Sequence, residues 1–296
     1  MNQNAIGVKQ LNYKTNNFEL NDITFHVPKG YVTGFIGSNG AGKTTLIRLI
    51  MNLIQPDSGH IEMLGFGMPN FEGEIKEKIG FIYSELYLND KWTIKKCEQY
   101  ISPMYEEWDK SLFNHYIQKF GLPLNKKIKT FSTGMKMKLS FAIAFSHHAE
   151  LYILDEPTSG LDPVARNEVL EIIQQELIDE NKSVFFSTHI ISDIEKIADH
   201  LVYLKDGQII FDEQKHILLK EYQMIRGNTA DLDEELKSYI INFKIKQTGF
   251  EGLTKEANAF KELFGDRVVI TQPSIEELMV NIEQGLLSSD KLGDAL

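Results

Sequence analysis

Apolar and polar positions alternate through residues 5–28, with Val8, Leu11, Tyr13, Phe18, Leu20, Ile23, Phe25 and Val27 carrying the apolar side. A period of two predicts strands with one buried face, and Asn16-Asn17 and Asn21-Asp22 supply turn residues between them. Residues 31–36 form a mostly apolar run that predicts a buried strand. The period then lengthens to 3.6, placing Leu46, Ile47, Leu49, Ile50, Leu53 and Ile54 on one helical face. Gln55-Pro56-Asp57-Ser58-Gly59 breaks that helix, and 59–64 and 79–83 read as short strands.

From about residue 91 to 149 the pattern is helical. Segments 92–105 and 109–120 are amphipathic, the second with Leu112, Phe113, Tyr116, Ile117 and Phe120 on one face. Gly121-Leu122-Pro123 stops it. A third helix, 135–147, is apolar almost all round and therefore buried. Strand and helix then alternate: 151–154, 163–179, 183–187, 190–198 and 200–204, followed by an Asp206-Gly207 hairpin turn into 209–211. Such alternation predicts a mainly parallel sheet covered on both faces, with the block 91–149 as an insertion. After about residue 216 the pattern is irregular, with 237–247 and 267–271 as strand candidates and 274–283 as a capped helix. The expected division is a domain over 1–215 and a small C-terminal α+β extension, of unassigned role, over 216–296.

The chemistry begins at Gly37-Ser38-Asn39-Gly40-Ala41-Gly42-Lys43-Thr44-Thr45, between the strand 31–36 and the helix that follows. Glycines allow consecutive backbone N–H groups to curl around an anion, and the helix start adds partial positive charge. Strand, glycine-rich turn, Lys-Thr and helix make a phosphate-binding P-loop. Lys43 reaches the β- and γ-phosphates in such a loop, and the Thr44 hydroxyl holds Mg²⁺. The predicted fold class is accordingly α/β: a P-loop NTPase core with an N-terminal antiparallel β region, a helical insertion and the C-terminal extension. A second site element is the strand 151–154, which ends in Asp155 and Glu156. Ligands bind at the carboxyl ends of parallel strands, where Asp155 suits Mg²⁺ and Glu156 can polarise an attacking water.

Five segments stand in the order and spacing of the ATP-binding-cassette (ABC) nucleotide-binding domain, which residues 5–212 resemble. They are the P-loop, Phe131-Ser132-Thr133-Gly134-Met135, Leu154-Asp155-Glu156-Pro157-Thr158, Ser159-Gly160-Leu161-Asp162 and Ser187-Thr188-His189. The resemblance implies that ATP and Mg²⁺ are the ligands and that Glu156 is the general base. It makes His189 the switch histidine on the γ-phosphate. Tyr13 resembles the aromatic that stacks on adenine, with Phe18 as the weaker candidate. Ser132 and Gly134 resemble the signature that meets nucleotide bound by a second protomer, and Asp162 the residue communicating across that dimer. Glu85 stands where the family has its metal-side lid glutamine. That carboxylate and the Ser-Thr-Gly-Met signature are similar to the branch serving ABC-2 type exporters, as is 273–278 to the end of that branch's extension. This likeness implies drug, lipid or peptide export in a Gram-positive bacterium.

Bulk properties narrow the setting. A formal charge of −11 over 296 residues argues against nucleic acid as the main partner. Cys97 is the only cysteine, so no intramolecular disulfide or cysteine-based metal cluster forms. No apolar stretch approaches the ~20 residues of a membrane span, and the first residues lack the pattern of a secretion signal. The expectation is a cytoplasmic ATPase subunit, peripheral on the inner membrane face through a separate permease, paired with an identical or paralogous cassette. Aromatic residues of the insertion, Trp92, Tyr100, Tyr105 and Trp108, either grip that permease or fill the insertion's own core. The alternative is a permease-free ABC ATPase of translation or DNA repair. Such proteins carry paired cassettes or long coiled coils, and this chain has one cassette and no sustained heptads.

Overall fold

The computed structural model describes residues 3–67, 74–84, 86–176, 179 and 181–293, and divides into two compact units, Met1–Asp212 and Glu213–Leu296. The first unit opens with β1 (Asn4–Thr15), β2 (Phe18–Pro28), β3 (Val32–Ile36), α1 (Lys43–Ile50), β4 (Ser58–Met63), β5 (Phe66–Gly67), α2 (Glu74–Glu77) and β6 (Ile79–Ile82). It continues through α3 (Ile94–Ile101), α4 (Lys110–Lys119), α5 (Thr133–Phe145), β7 (Leu151–Asp155), α6 (Pro163–Glu176), β8 (Ser183–Thr188), α7 (Ile191–Ile197), β9 (His200–Lys205) and β10 (Gln208–Gln214).

Two sheets form its core. One has the order β2-β1-β4-β5, and the other the order β10-β9-β3-β8-β7-β6. The pairings β3 with β8 and β9, β8 with β7, and β7 with β6 are all parallel. β3, β7 and β8 are buried along their whole length, as their apolar runs require. Phe25 of β2 stacks on Phe35 and Phe185, with ring centroids 6.0 and 5.8 Å apart, and so joins the antiparallel layer to the parallel one. Burying a side chain of that size is worth roughly 1.5–3 kcal/mol.

β6 and β7 are neighbours in the sheet, yet the helices α3, α4 and α5 lie between them in sequence. Each helix starts on a side-chain cap. Thr93, Asp109 and Ser132 accept from the backbone N–H groups of Lys96, Leu112 and Met135 respectively. The first of these helices is shorter than expected, because Ser102-Pro103-Met104 tightens into a 3₁₀ turn after Ile101. Trp92 stacks on the exposed Tyr100 at 4.6 Å, whereas Tyr105 lies against His147 and Trp108 against Phe113. The four aromatics are thus divided between surface and insertion core.

Asn21-Asp22, expected as a turn, lies inside the continuous strand β2. Asp22 adopts a positive φ of 49°, and the register around it is irregular. The polar pair therefore marks a bulge, because the partner strand β1 runs past it and keeps the ladder going. Asp206 and Gly207 do form the β9–β10 turn, both at positive φ.

The second unit contains α8 (Lys215–Glu221), β11 (Gln223–Gly227), α9 (Glu234–Ser238), β12 (Ile241–Lys246), β13 (Gly249–Thr254), α10 (Ala257–Phe264), β14 (Val268–Thr271) and α11 (Ile275–Gly293). Its antiparallel sheet has the order β12-β13-β11-β14, around a core that includes Ile225, Phe250, Phe260 and Val268. The segment is far more regular than its sequence pattern suggested. β11 is short and ends in Gly227, and β13 is interrupted by Gly252, so cross-strand pairing rather than periodicity defines them. The expected strand 237–247 gives its first residues to α9, which Asp233 caps through Leu236 N. α11 starts on a reciprocal box, with Glu277 N donating to Ser274 Oγ at 3.0 Å and Ser274 N to Glu277 Oε2 at 2.9 Å.

A Cβ at Gly207 would lie 1.9 Å from Glu19 O, while Asn21 N donates to Gly207 O at 3.0 Å. The turn therefore sits directly against β2, in a conformation at φ 74° that side chains resist. Gly207→Ala should destabilise the first unit by roughly 2 kcal/mol or more, read as a lower thermal midpoint. An unchanged midpoint would show that this contact is not fixed.

Candidate active site

The parallel register brings four chain segments to one sheet edge. Ile36 pairs with Thr188, Asp155 with Ser187, and Ile82 with Leu154, so β3, β8, β7 and β6 end side by side. From β3 the chain turns through residues 37–42 into α1. Gly42 closes the turn at φ 108°, where a Cβ would come 2.3 Å from the ring of Phe18. Glycine is required there on both counts. α1 has no side-chain cap and no acidic residue in its first turn, which leaves backbone donors and partial positive charge for an anion. Lys43 is 6% exposed and folds back over the loop. Its Nζ donates to Gly37 O at 2.6 Å and Ser38 O at 3.3 Å, and lies 3.3 Å from Glu156 Oε1.

At the end of β7, Asp155 is buried and accepts from Ser187 Oγ at 2.7 Å and Thr44 Oγ1 at 3.5 Å. Burial raises its carboxyl above the ordinary range, and the Ser187 and Thr44 hydroxyls offset only part of that shift. Glu156 is one of the few non-glycine residues at positive φ, 52°. Such a conformation costs of order 1–3 kcal/mol and persists only when its surroundings hold it. Here the holding contacts are Glu156 N to Ser187 O and to Ser187 Oγ, both 3.1 Å. His189, one residue beyond β8, places Nδ1 2.7 Å from Glu156 Oε2. The two Glu156 oxygens thus face an ammonium on one side and an imidazole on the other.

These groups open on a cavity of about 520 Å³ whose lining includes Phe18, Lys43, Thr44, Ser84, Glu156 and His189. The loop residues Ser38, Asn39, Gly40, Gly42 and Thr45 line it as well. Gly37 and Ala41 shape the turn from behind, Gly37 through its carbonyl to Lys43. Tyr13 is not among the residues that line this cavity. Tyr13, opposite Leu20, and Phe18 both pack against the hydrophobic core, and Phe18 also lines the cavity. The reason is the β1–β2 turn: Thr15 pairs with Phe18, which brings Phe18 over Gly42 and leaves Tyr13 farther down the ladder. Glu85 lies outside the described residues.

Ser132, Gly134 and Asp162 are also absent from the lining. Ser132 caps α5, and Asp162 Oδ1 accepts from Val164 N at 3.0 Å and Ala165 N at 3.1 Å at the start of α6. A Cβ on Gly134 would meet nothing closer than 3.6 Å, so packing within the chain does not demand glycine there.

Sequence reasoning gave no role to Ser187, although it adjoins Thr188-His189; its hydroxyl alternation with Asp155 emerges only when β7 and β8 pair. It also missed the buried Asp193, which accepts from Thr158 Oγ1 at 2.7 Å and Arg166 Nε at 2.5 Å. That carboxylate ties the turn after Glu156 to the helix after His189. No local pattern marks it, since its partners lie 27 and 35 residues away.

Comparison with known proteins supplies the family. The family model described as ABC transporter matches residues 20–159. The chain is 34% identical over 198 residues to the ABC transporter ATP-binding protein NatA of Bacillus subtilis (strain 168), covering 65% of this chain and 80% of that protein. It is 33% identical over 238 residues to the bacitracin transport ATP-binding protein BcrA of Bacillus licheniformis, covering 78% of each. A solved dimeric ATP-binding cassette, in a post-hydrolysis state with ADP and Pi, shares the fold at a TM-score of 0.62 and 20% identity, over 71% of this chain and 98% of that one. With a P-loop, two strand-end carboxylates and a histidine gathered on one edge, and relatives of this similarity, the chain belongs to the ABC transporter family as an ATP-binding subunit with ATPase activity.

Proposed function

We propose that this chain powers an ABC exporter as one of two cassettes that close head to tail over ATP, its permease being a separate polypeptide. The observation that carries this reading is the separation of the two half-sites. The P-loop, Glu156 and His189 share one cavity, while Ser132 and Gly134 stand outside it at the exposed start of α5. A helix start with a small, unobstructed residue suits the phosphates of a neighbouring molecule. The solved dimeric cassette and the bacitracin-transport relative support pairing and export respectively. Among the described residues no helix is long and apolar enough to cross a membrane, so attachment to the inner membrane face falls to the permease.

In this reading the triphosphate of ATP lies across α1's first turn, with Lys43 on its terminal oxygens and Phe18 beside the nucleotide. Thr44 Oγ1 and Asp155 Oδ1 are hard oxygen donors 3.5 Å apart, a set suited to Mg²⁺, which would neutralise phosphate charge. Glu156 accepts the proton of the attacking water through a carboxylate oxygen. His189 holds the other oxygen and orients the carboxylate. When Lys43 turns to phosphate, the Glu156 oxygen that faces it is freed to take the proton of water.

Glu156→Gln should keep ATP affinity and lower phosphate release by roughly 10²–10⁴-fold, while ATP-bound dimers accumulate on size exclusion. Near-normal turnover would remove Glu156 as the base. Ser132→Arg should abolish ATP-dependent pairing and leave nucleotide binding by the single chain intact. Ser132→Ala separates this from helix capping, since it loses about 1 kcal/mol of cap energy without filling the interface. Equal loss of nucleotide binding in the arginine variant would assign Ser132 to folding instead.

A further inference from the structure

Away from the nucleotide cavity, three side chains from three strands of the first unit converge. His26 lies on β2, His200 on β9 and Asp212 on β10. Asp212 Oδ2 lies 2.6 Å from His26 Nδ1, and Asp212 Oδ1 lies 2.6 Å from His200 Nε2. His26 N also donates to Asp212 Oδ2 at 3.0 Å. One potential ligand atom from each side chain falls within 4.8 Å of the other two. The imidazole centroids are 4.9 Å apart with planes tilted by 60°, so the rings turn their edges, not their faces, to the same carboxylate. Exposure is graded: His200 2%, Asp212 17% and His26 42%.

We propose that His26, His200 and Asp212 form a binding site for a divalent transition metal, with Zn²⁺ the physiological class, distinct from the nucleotide's Mg²⁺. Two imidazole nitrogens and one carboxylate oxygen are a borderline donor set that suits Zn²⁺, Co²⁺ or Ni²⁺, whereas Mg²⁺ and Ca²⁺ take oxygen ligands. The spread of the three donors is within a small side-chain adjustment of a tetrahedral site. Its fourth position faces the half-exposed His26 side, where water completes the coordination. Binding requires no oxidant and breaks no bond other than an imidazole N–H. Each neutral imidazole moves its proton from the nitrogen facing Asp212 to the other ring nitrogen, and Asp212 exchanges two N–H donors for the metal.

His200 sets the strength. Its Nδ1 is buried and has no hydrogen-bond partner among the described residues, so the relocated proton finds no acceptor. Loss of such a supporting contact typically lowers metal affinity about 10–100-fold. The site is therefore one that fills and empties with metal supply, not a permanent structural centre. Because the ligands bridge β2 of the antiparallel sheet to β9 and β10 of the parallel one, loading cross-links the two layers of the first unit.

The test uses the full chain, freed of metal by chelation, without nucleotide. Titration with Zn²⁺ alone should show one ion bound per chain and raise the thermal midpoint, and Co²⁺ alone should give visible bands of a low-coordinate site. His26→Gln, at the exposed ligand, should weaken Zn²⁺ by at least about tenfold and remove the Co²⁺ bands, as should Asp212→Asn. His189→Ala should leave both signals unchanged, which separates this site from the His189–Glu156 pair at the nucleotide cavity. Absence of a bound ion in the wild-type chain would overturn the proposal. So would Zn²⁺ affinity and Co²⁺ bands that persist in both folded ligand variants.

Discussion

Four parallel strands ending in register set the conditions for the nucleotide site of this protein. β3 delivers the phosphate loop, β7 the two carboxylates, β8 the serine and histidine, and β6 the segment containing Ser84. Slipping any one of them by a single residue would turn its alternating side chains to the opposite face and scatter the site. The register is in turn secured by burial. β3, β7 and β8 are enclosed along their length, and the Phe25–Phe35–Phe185 stack locks the neighbouring layer onto them. That packing fixes β8 and with it Ser187, whose oxygens hold the Glu156 backbone in its left-handed conformation.

Within that frame the site is arranged around one positive charge. The Lys43 ammonium is satisfied by the carbonyls of Gly37 and Ser38 and by Glu156. A triphosphate offers stronger, fully charged acceptors in the same place, so binding exchanges internal partners for external ones. In the proposed cycle this exchange frees Glu156 Oε1, the oxygen 3.3 Å from the Lys43 ammonium. Ser187 keeps the carboxylates apart in function: its hydroxyl holds Asp155, and its oxygens fix the backbone of Glu156.

The phosphate loop, the strand ending in Asp155-Glu156 and the order of the motifs were readable because each is local in sequence and chemically unusual. The alternation of buried strands and helices was readable for the same reason. What escaped depends on partners distant in the chain. Phe18, the weaker of the two aromatic candidates in the sequence, is the one that lines the cavity because of the exact ladder pairing of β1 with β2, which alternation alone does not specify. Asp22 reads as a turn residue and sits in a bulge, since a neighbouring strand overrides its local preference. The sheet of the second unit is assembled from strands such as β11 and β13 whose sequences carry little periodicity, so only their mutual hydrogen bonds define them.

Phosphate capture by the ammonium at the start of α1 is tested most directly by the ATP affinity of Lys43→Ala, by calorimetry on the folded chain. Two charge-assisted hydrogen bonds lost at roughly 1.5 kcal/mol each predict an affinity weaker by about a hundredfold. Affinity equal to that of the unaltered chain, in a variant that keeps its thermal midpoint, would contradict it.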